Sequence, residues 1–310
     1  MSEQREYSET DFRLLEGLAE PAQRLMDYHL ANAKVWYPHE SIPWDNAKNY
    51  KPSEVWNPEE FPLADGVRSA LITNLLTEDN LPYYSHNILG LSPEDHPLSA
   101  WTHRWTAEEG RHSQAIRDWL LVTRAVDPRQ LEDDRIVQVQ KGEVPIPESL
   151  ADTLAYVSFQ ELATQVAHRN TGRKIGKTLN GSLVMAQVAG DEKLHHEFYR
   201  NLTTEAFAVD SSAMVLAIMR RLANFKMPGT GIPDFAAHQE AISKEGIFSR
   251  TILTDDVFVP TLQTWKPELE KLTGLSSEAE EGRELLFKKL EQMERIMQKR
   301  RAKQLTGAAS

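Results

Sequence analysis

Glu109-Gly110-Arg111-His112 and Glu192-Lys193-Leu194-His195 are the two stretches that decide the fold of this 310-residue chain. Each Glu-x-x-His is preceded by another glutamate at one fixed distance: Glu78 stands 31 residues before Glu109, and Glu161 stands 31 before Glu192. The second set is the first displaced by 83 positions. Residues three apart on a helix share a face, so each tetrad presents a carboxylate and an imidazole together. Four carboxylates and two imidazoles match a template in which a Glu from each of two helices and Glu-x-x-His from each of two others hold a pair of iron or manganese ions. The expectation is an all-α protein, a ferritin-like di-iron four-helix bundle with additional helices.

One Glu-x-x-His on a charged helix is ordinarily just a solvated pair. Two copies at one spacing, set among apolar residues, are not. Trp105 lies four before Glu109 and Ile116 four after His112; Val188 lies four before Glu192 and Tyr199 four after His195; Leu154, Val157 and Leu162 surround Glu161. Carboxylates on such inward stripes cost several kcal/mol each if buried unpaired, and cations between them remove that cost. Oxygen and nitrogen donors without sulfur suit iron or manganese better than structural zinc. Carboxylates can bridge two ions roughly 3.5–4 Å apart. By symmetry Glu109 and Glu192 are the expected bridges, with Glu78 and Glu161 as terminal ligands. Pro82 removes the hydrogen bond to the Glu78 carbonyl, so a local distortion is expected there. His196, about 100° around the helix from His195, reads as a polar or surface contact, and His168 as a core hydrogen-bonding residue.

Composition bounds the rest. There is no cysteine, hence no disulfide, iron–sulfur cluster or thiolate nucleophile, and the expected compartment is the cytoplasm. The opening Met1-Ser2-Glu3-Gln4-Arg5-Glu6 has no apolar run behind it and reads as carrying no secretory signal. No stretch approaches the roughly 20 apolar residues of a membrane span, and mean hydropathy is −0.50. The net charge of −11 argues against nucleic-acid binding.

The chain reads as a single helical domain. An N-terminal helix is expected over about 10–36, then a Pro- and Trp-rich connection from Tyr37 to Pro62, too rich in tryptophan for a free linker. The core bundle covers about 65–208, with helices over about 65–89 (Asp65 as N-cap), 97–125, 147–175 and 176–208. A short helix is expected around 130–141. C-terminal helices fill 210–303, interrupted at Met227-Pro228-Gly229-Thr230-Gly231-Ile232-Pro233; a capping box at Ser277-Glu278-Ala279-Glu280 opens the last.

The words around the ligands carry a resemblance. Trp105-Thr106-Ala107-Glu108-Glu109-Gly110-Arg111-His112, Ser158-Phe159-Gln160-Glu161-Leu162-Ala163-Thr164 and Asp191-Glu192-Lys193-Leu194-His195 resemble the soluble acyl-[acyl-carrier-protein] desaturases, the stearoyl-type family of plant plastids and actinobacteria. Thr77-Glu78-Asp79-Asn80-Leu81-Pro82 and Lys226-Met227-Pro228 are weaker matches, and the likeness spans about 10–235. It implies a homodimer with two iron ions per chain. The implied reaction is O2-dependent formation of a cis double bond in an acyl chain on acyl carrier protein, with electrons from a ferredoxin-type donor. Carried over by position, Glu78, Glu109, His112, Glu161, Glu192 and His195 are the implied iron ligands. Thr164 is the implied hydroxyl beside the oxygen site, Asp191 an implied orienting carboxylate for an iron-bound histidine, and Trp36 an implied electron-delivery tryptophan. Gly110 replaces the Asn of the plant word, Leu194 a basic residue, and the Tyr37–Pro62 connection differs.

Three basic clusters are candidates for meeting the acidic carrier protein: Arg169-Arg173-Lys174-Lys177, Arg220-Arg221-Lys226 and Lys299-Arg300-Arg301-Lys303, with Arg220 and Arg221 the first to test. The competing readings are another di-iron acyl oxygenase, such as a hydroxylase, and a non-catalytic iron- or carrier-binding protein.

Overall fold

The computed structural model describes residues 7–145 and 147–307, with side chains to residue 303; the expected leaderless opening at Met1–Glu6 lies outside these. Among the described residues there are helices and no strand. In chain order they are α1 (Glu9–Asn32), α2 (Pro38–Ser41), α3 (Asp65–Glu78), α4 (Leu81–Leu89), α5 (Pro97–Thr123), α6 (Pro128–Lys141), α7 (Leu150–Ile175), α8 (Gly181–Val209), α9 (Ser211–Asn224), α10 (Phe235–Lys244), α11 (Arg250–Ile252), α12 (Val259–Lys271) and α13 (Ser277–Gly307). A π-helical turn, Leu253–Phe258, joins α11 to α12.

Helices α3, α5, α7 and α8 form the bundle, with α1 laid across α5 and α8. The α1 stripe Leu14, Leu18, Ala22, Leu25 and His29 is buried at helical spacing, so a histidine continues the apolar seam. Helices α7 and α8 pack along their lengths, and Gly172 lets them approach: a Cβ there would stand 2.9 Å from the Met185 Cβ.

The single helix expected over 65–89 is two. The chain leaves helical pairing at Glu78, Asp79 and Asn80 make the turn, and Pro82 sits in the first turn of α4. The Asp79 carboxylate pins the break to α5 by accepting from Ser113 Oγ at 2.6 Å and from Arg117. Several helix starts also differ. Ala64 occupies the N-cap position of α3 and Asp65 makes no cap bond. Helix α7 begins at Leu150, where Ser149 caps the Asp152 amide. Helix α8 begins at Gly181 after a short turn over Thr178–Asn180. Ser276, not Ser277, caps the final helix through the Ala279 amide.

The Pro- and Trp-rich connection is a strap across the end of α5. Arg124 closes that helix in the left-handed region, leaving carbonyls open. Tyr50 Oη donates to the Leu121 carbonyl at 2.9 Å and Trp56 Nε1 to that of Arg124 at 2.8 Å. The buried Arg124 guanidinium pairs with Glu54 and Glu60 and lies over the Tyr50 ring. This is where the tryptophan and tyrosine of the strap are used.

Candidate metal centre

The helix break delivers Glu78 to the bundle interior. Helix α5 brings Glu109 and His112 to the same place, α7 brings Glu161, and α8 brings Glu192 and His195. All six are buried. Their donor atoms form two groups, each within 4.8 Å: Glu78, Glu109, His112 and Glu192, and Glu109, Glu161, Glu192 and His195. Glu109 and Glu192 belong to both. His112 Nδ1 lies 3.2 Å from Glu109 Oε2 and 3.6 Å from Glu192 Oε1. His195 Nδ1 lies 3.0 Å from Glu109, 3.5 Å from Glu161 and 3.6 Å from Glu192.

Two observations test whether cations fit here. Glu109 Oε1, Glu161 Oε2, Glu192 Oε2 and His195 Nδ1 are buried and meet no hydrogen-bond partner among the described residues, a cost that a bound cation offsets. The protonation balance is also strained. Burial pushes the Glu78 carboxyl up to about 8, with the Glu109 charge adding to it. Burial and the Glu192 charge hold the Glu161 carboxyl well above its usual range. Despite burial, Glu109 and Glu192 are held low and His112, His168 and His195 high by one another's charge and hydrogen bonds, so imidazolium supplies positive charge that bound ions would replace. The donor set, oxygen and nitrogen only, fits a pair of transition-metal ions.

Both imidazoles are oriented from behind. His112 Nε2 donates to Asp191 Oδ2 at 3.1 Å, and His195 Nε2 donates to Glu108 Oε2 at 2.9 Å. A carboxylate on Nε2 keeps a proton there, so Nδ1 is the nitrogen that would face a bound ion. Asp191 also accepts from Trp36 Nε1 at 2.9 Å and Arg111 Nη2 at 2.6 Å, and the Arg111 guanidinium lies 4.4 Å from the Trp36 ring centre. Trp36 and Asp191 are thus joined to His112. Glu108 was not singled out in the sequence. Its signal was present, since Glu108 and Asp191 are separated by the same 83 positions as the ligands. Trp105 also gains a role, donating from Nε1 to Glu161 Oε1 at 3.2 Å.

His168 stands closer to the centre than sequence reasoning placed it. Its Nδ1 lies 3.2 Å from Asn74 Nδ2, and its Nε2 lies 3.4 Å from Glu192 and 3.5 Å from Glu78, carboxylates whose hydrogen bonds and charge raise the ring to about 9 against its burial. His196 is buried and donates from Nδ1 to the Ser158 carbonyl at 2.8 Å, so it is a core contact, not a surface one.

A cavity of about 430 Å³ reaches the centre from one side. Glu78, Thr164 and His168 line its inner end; Phe225, Met227, Phe248 and Leu253 supply apolar wall; exposed Lys226 and Arg250 stand on its rim. Thr164 Oγ1 bonds back to its own helix, donating toward the Glu161 carbonyl at 3.0 Å and lying 3.2 Å from that of Gln160. Of the basic clusters, Arg220 and Arg221 are already engaged. Both clamp the buried Asp152 carboxylate, at 2.9 Å each. Arg300 pairs with Asp255, and Lys174 with Glu245.

The likeness of the chain to known proteins agrees with this geometry. A sequence model of the family described as fatty acid desaturase matches residues 10–309. The chain is 38% identical over 293 residues to the acyl-[acyl-carrier-protein] desaturase DesA1 of Mycobacterium tuberculosis, covering 91% of this chain and 86% of that one. It is 29% identical over 296 residues to the chloroplastic stearoyl-[acyl-carrier-protein] 9-desaturase of Spinacia oleracea, covering 88% and 72%. The X-ray structure of the acyl-ACP desaturase DesA2 from Mycobacterium tuberculosis superposes with a TM-score of 0.68 at 26% identity, covering 82% of this chain and 94% of that one. With a family match over nearly its whole length, the chain belongs to the fatty acid desaturases of the acyl-[acyl-carrier-protein] type.

Proposed function

We propose that this enzyme introduces a cis double bond into an acyl chain carried on acyl carrier protein, at a pair of iron ions held inside the bundle. The observation that carries the reading is the convergence of four buried carboxylates and two imidazole Nδ1 atoms at the inner end of a partly apolar cavity. Glu78 and His112 would hold one ion, Glu161 and His195 the other, and Glu109 and Glu192 both. When bound, the iron pair supplies the O2 activation that an unactivated C–H bond demands and that no side chain offers. The balance is one –CH2–CH2– unit, one O2, two electrons and two protons giving –CH=CH– and two waters.

The residues of the chain bind, orient and exclude water. Phe225, Met227, Phe248 and Leu253 give the acyl chain an apolar wall, and the cavity volume lies in the range of small-ligand sites. Asp191 fixes the proton of His112 on Nε2. Thr164 Oγ1, on the cavity wall, carries a proton now donated to the Glu161 carbonyl, which the oxygen chemistry could draw on. Lys226 and Arg250 on the rim offer positive charge to an acidic carrier despite the acidic chain as a whole. A ferredoxin-type donor, a homodimeric state and a cytoplasmic location complete the proposal; no helix among the described residues is long and apolar enough to cross a membrane. The deciding experiment is aerobic turnover of acyl carrier proteins loaded with different chains, with reduced ferredoxin and mass spectrometry of the acyl product. A loss of two mass units supports desaturation. A gain of one oxygen identifies a hydroxylase, and unchanged acyl chains with full iron identify a non-catalytic binder.

A further inference from the structure

The bundle holds a second buried polar chain whose far end the proposed reaction does not use. Glu108 is 3% exposed and carries three partners. His195 Nε2 lies 2.9 Å from its Oε2, His29 Nε2 lies 3.0 Å from the same oxygen, and Arg104 donates to Oε1. His29 comes from α1, is 2% exposed, and stacks on the His195 ring at 5.8 Å between centres. Neither of its ring nitrogens meets a partner in hydrogen-bond geometry among the described residues, so the 3.0 Å approach to Glu108 is a charge contact. The arrangement mirrors the other half of the bundle, where Asp191 holds His112, Trp36 and Arg111. Glu108 and Asp191 each precede a glutamate shared by both ligand groups, and each crosses to the histidine of the opposite Glu-x-x-His.

His29, Glu108 and His195 also lie close enough together to suggest a third cation. The charges argue against it. Arg104 sits on Glu108 Oε1 and Arg111 approaches the same atom at 3.9 Å. A carboxylate already facing two guanidiniums has little attraction left for a metal ion. His195 and Arg104 already occupy both Glu108 oxygens with hydrogen bonds.

We propose that Glu108 and His29 are positioning residues for His195: Glu108 holds the Nε2 proton and ring plane of His195, and His29 from α1 holds Glu108. This rests on the two-ion reading of the centre. The duplicated halves thus share an orienting carboxylate but differ in what stands behind it, an indole on the His112 side and an imidazole on the His195 side.

Metal-free protein titrated anaerobically with ferrous ion tests this without turnover. Glu108→Ala should weaken one of the two ions about 10–100-fold, the usual cost of losing an orienting partner, and leave the other within a few-fold. His29→Leu should weaken the same ion several-fold, and should add nothing in the Glu108→Ala background. In the ferrous protein, the paramagnetically shifted exchangeable N–H signal of His195 should exchange faster with solvent in both variants, which a purely structural lesion elsewhere would not cause. If Glu108→Ala does not fold, Glu108→Gln keeps the shape and the acceptor but not the charge, and about tenfold weakening is expected. Two ions at parental affinity in the Glu108 variant, or equal His29→Leu losses in both backgrounds, would overturn the proposal. A Glu109→Ala, Glu192→Ala control that still binds both ions would instead overturn the two-ion reading beneath it.

Discussion

Replacing Glu78 by glutamine should change sign with the metal content of the protein. In the metal-free protein the Glu78 side chain is 8% exposed and its carboxyl is raised from 4.5 to about 8, by burial first and by the Glu109 charge second. The unfolded chain releases this proton near 4.5, whereas the folded one keeps it until about 8. Between those values the folded state binds more protons, so its stability falls as pH rises. Below 4.5 the group is protonated in both states and contributes nothing. At about 1.36 kcal/mol per pH unit, the ceiling of the penalty is roughly 5 kcal/mol. Losing the nearby His168 contact and letting Glu109 and Glu192 relax take back part of it, so about 2 kcal/mol is expected. Glu78→Gln should therefore stabilise the metal-free protein by about 2 kcal/mol at pH 8.5 and change little at pH 4.5, read by urea unfolding. With ferrous ion at a hundredfold excess over its dissociation constant, each bound ion stabilises by about 2.7 kcal/mol. The variant lacks an anionic ligand for one of them and should then be the less stable protein. A variant destabilised at pH 8.5 without metal, or stabilised by iron as fully as its parent, would refute the reasoning.

Three further outcomes are expected. Gly110 is exposed in the middle of α5, and a Cβ there would meet only the Leu81 Cδ2 at 3.9 Å; Gly110→Ala should raise stability by about 0.5–1 kcal/mol, seen as a rise of roughly 1–2 °C in Tm. Arg220→Ala together with Arg221→Ala strands the buried Asp152 carboxylate, so about 2–3 kcal/mol should be lost in urea unfolding with metal content unchanged. Thr164→Val keeps the shape of the cavity wall while removing the only hydroxyl that α7 presents to it; the variant should bind two irons yet release more peroxide per electron consumed, and unchanged coupling would remove Thr164 from the chemistry.

Sequence reading went furthest where one helical period fixed the answer. The six proposed ligands, the bundle they stand on and the packed surface role of the Trp-rich strap were all legible, because spacing and local polarity encode which face of a helix turns inward. Helix starts were less legible: the capping positions before α3 and α13 shifted by one residue, since α3 opens with no side-chain cap and adjacent serines, Ser276 and Ser277, compete at α13. His168 is the core hydrogen-bonding residue it was read as, but its nearness to the centre was not legible, and His29 was passed over, for another reason. Each reaches the centre from a residue with no partner in the repeated pattern: His168 approaches along α7 toward Glu78 and Glu192, and His29 arrives from a helix outside the bundle.

The chain by itself pointed to the proposed donor set, because a duplicated motif repeats in one dimension what the fold repeats in space. Only the tertiary structure decided which carboxylates are shared between the two ligand groups, that Asp191 and Glu108 cross over to the opposite histidines, and that Arg220 and Arg221 are clamped on Asp152. These are contacts between residues 68 to 87 positions apart. No local periodicity encodes them; they follow from how four helices are rotated against one another, which the packing of whole faces sets.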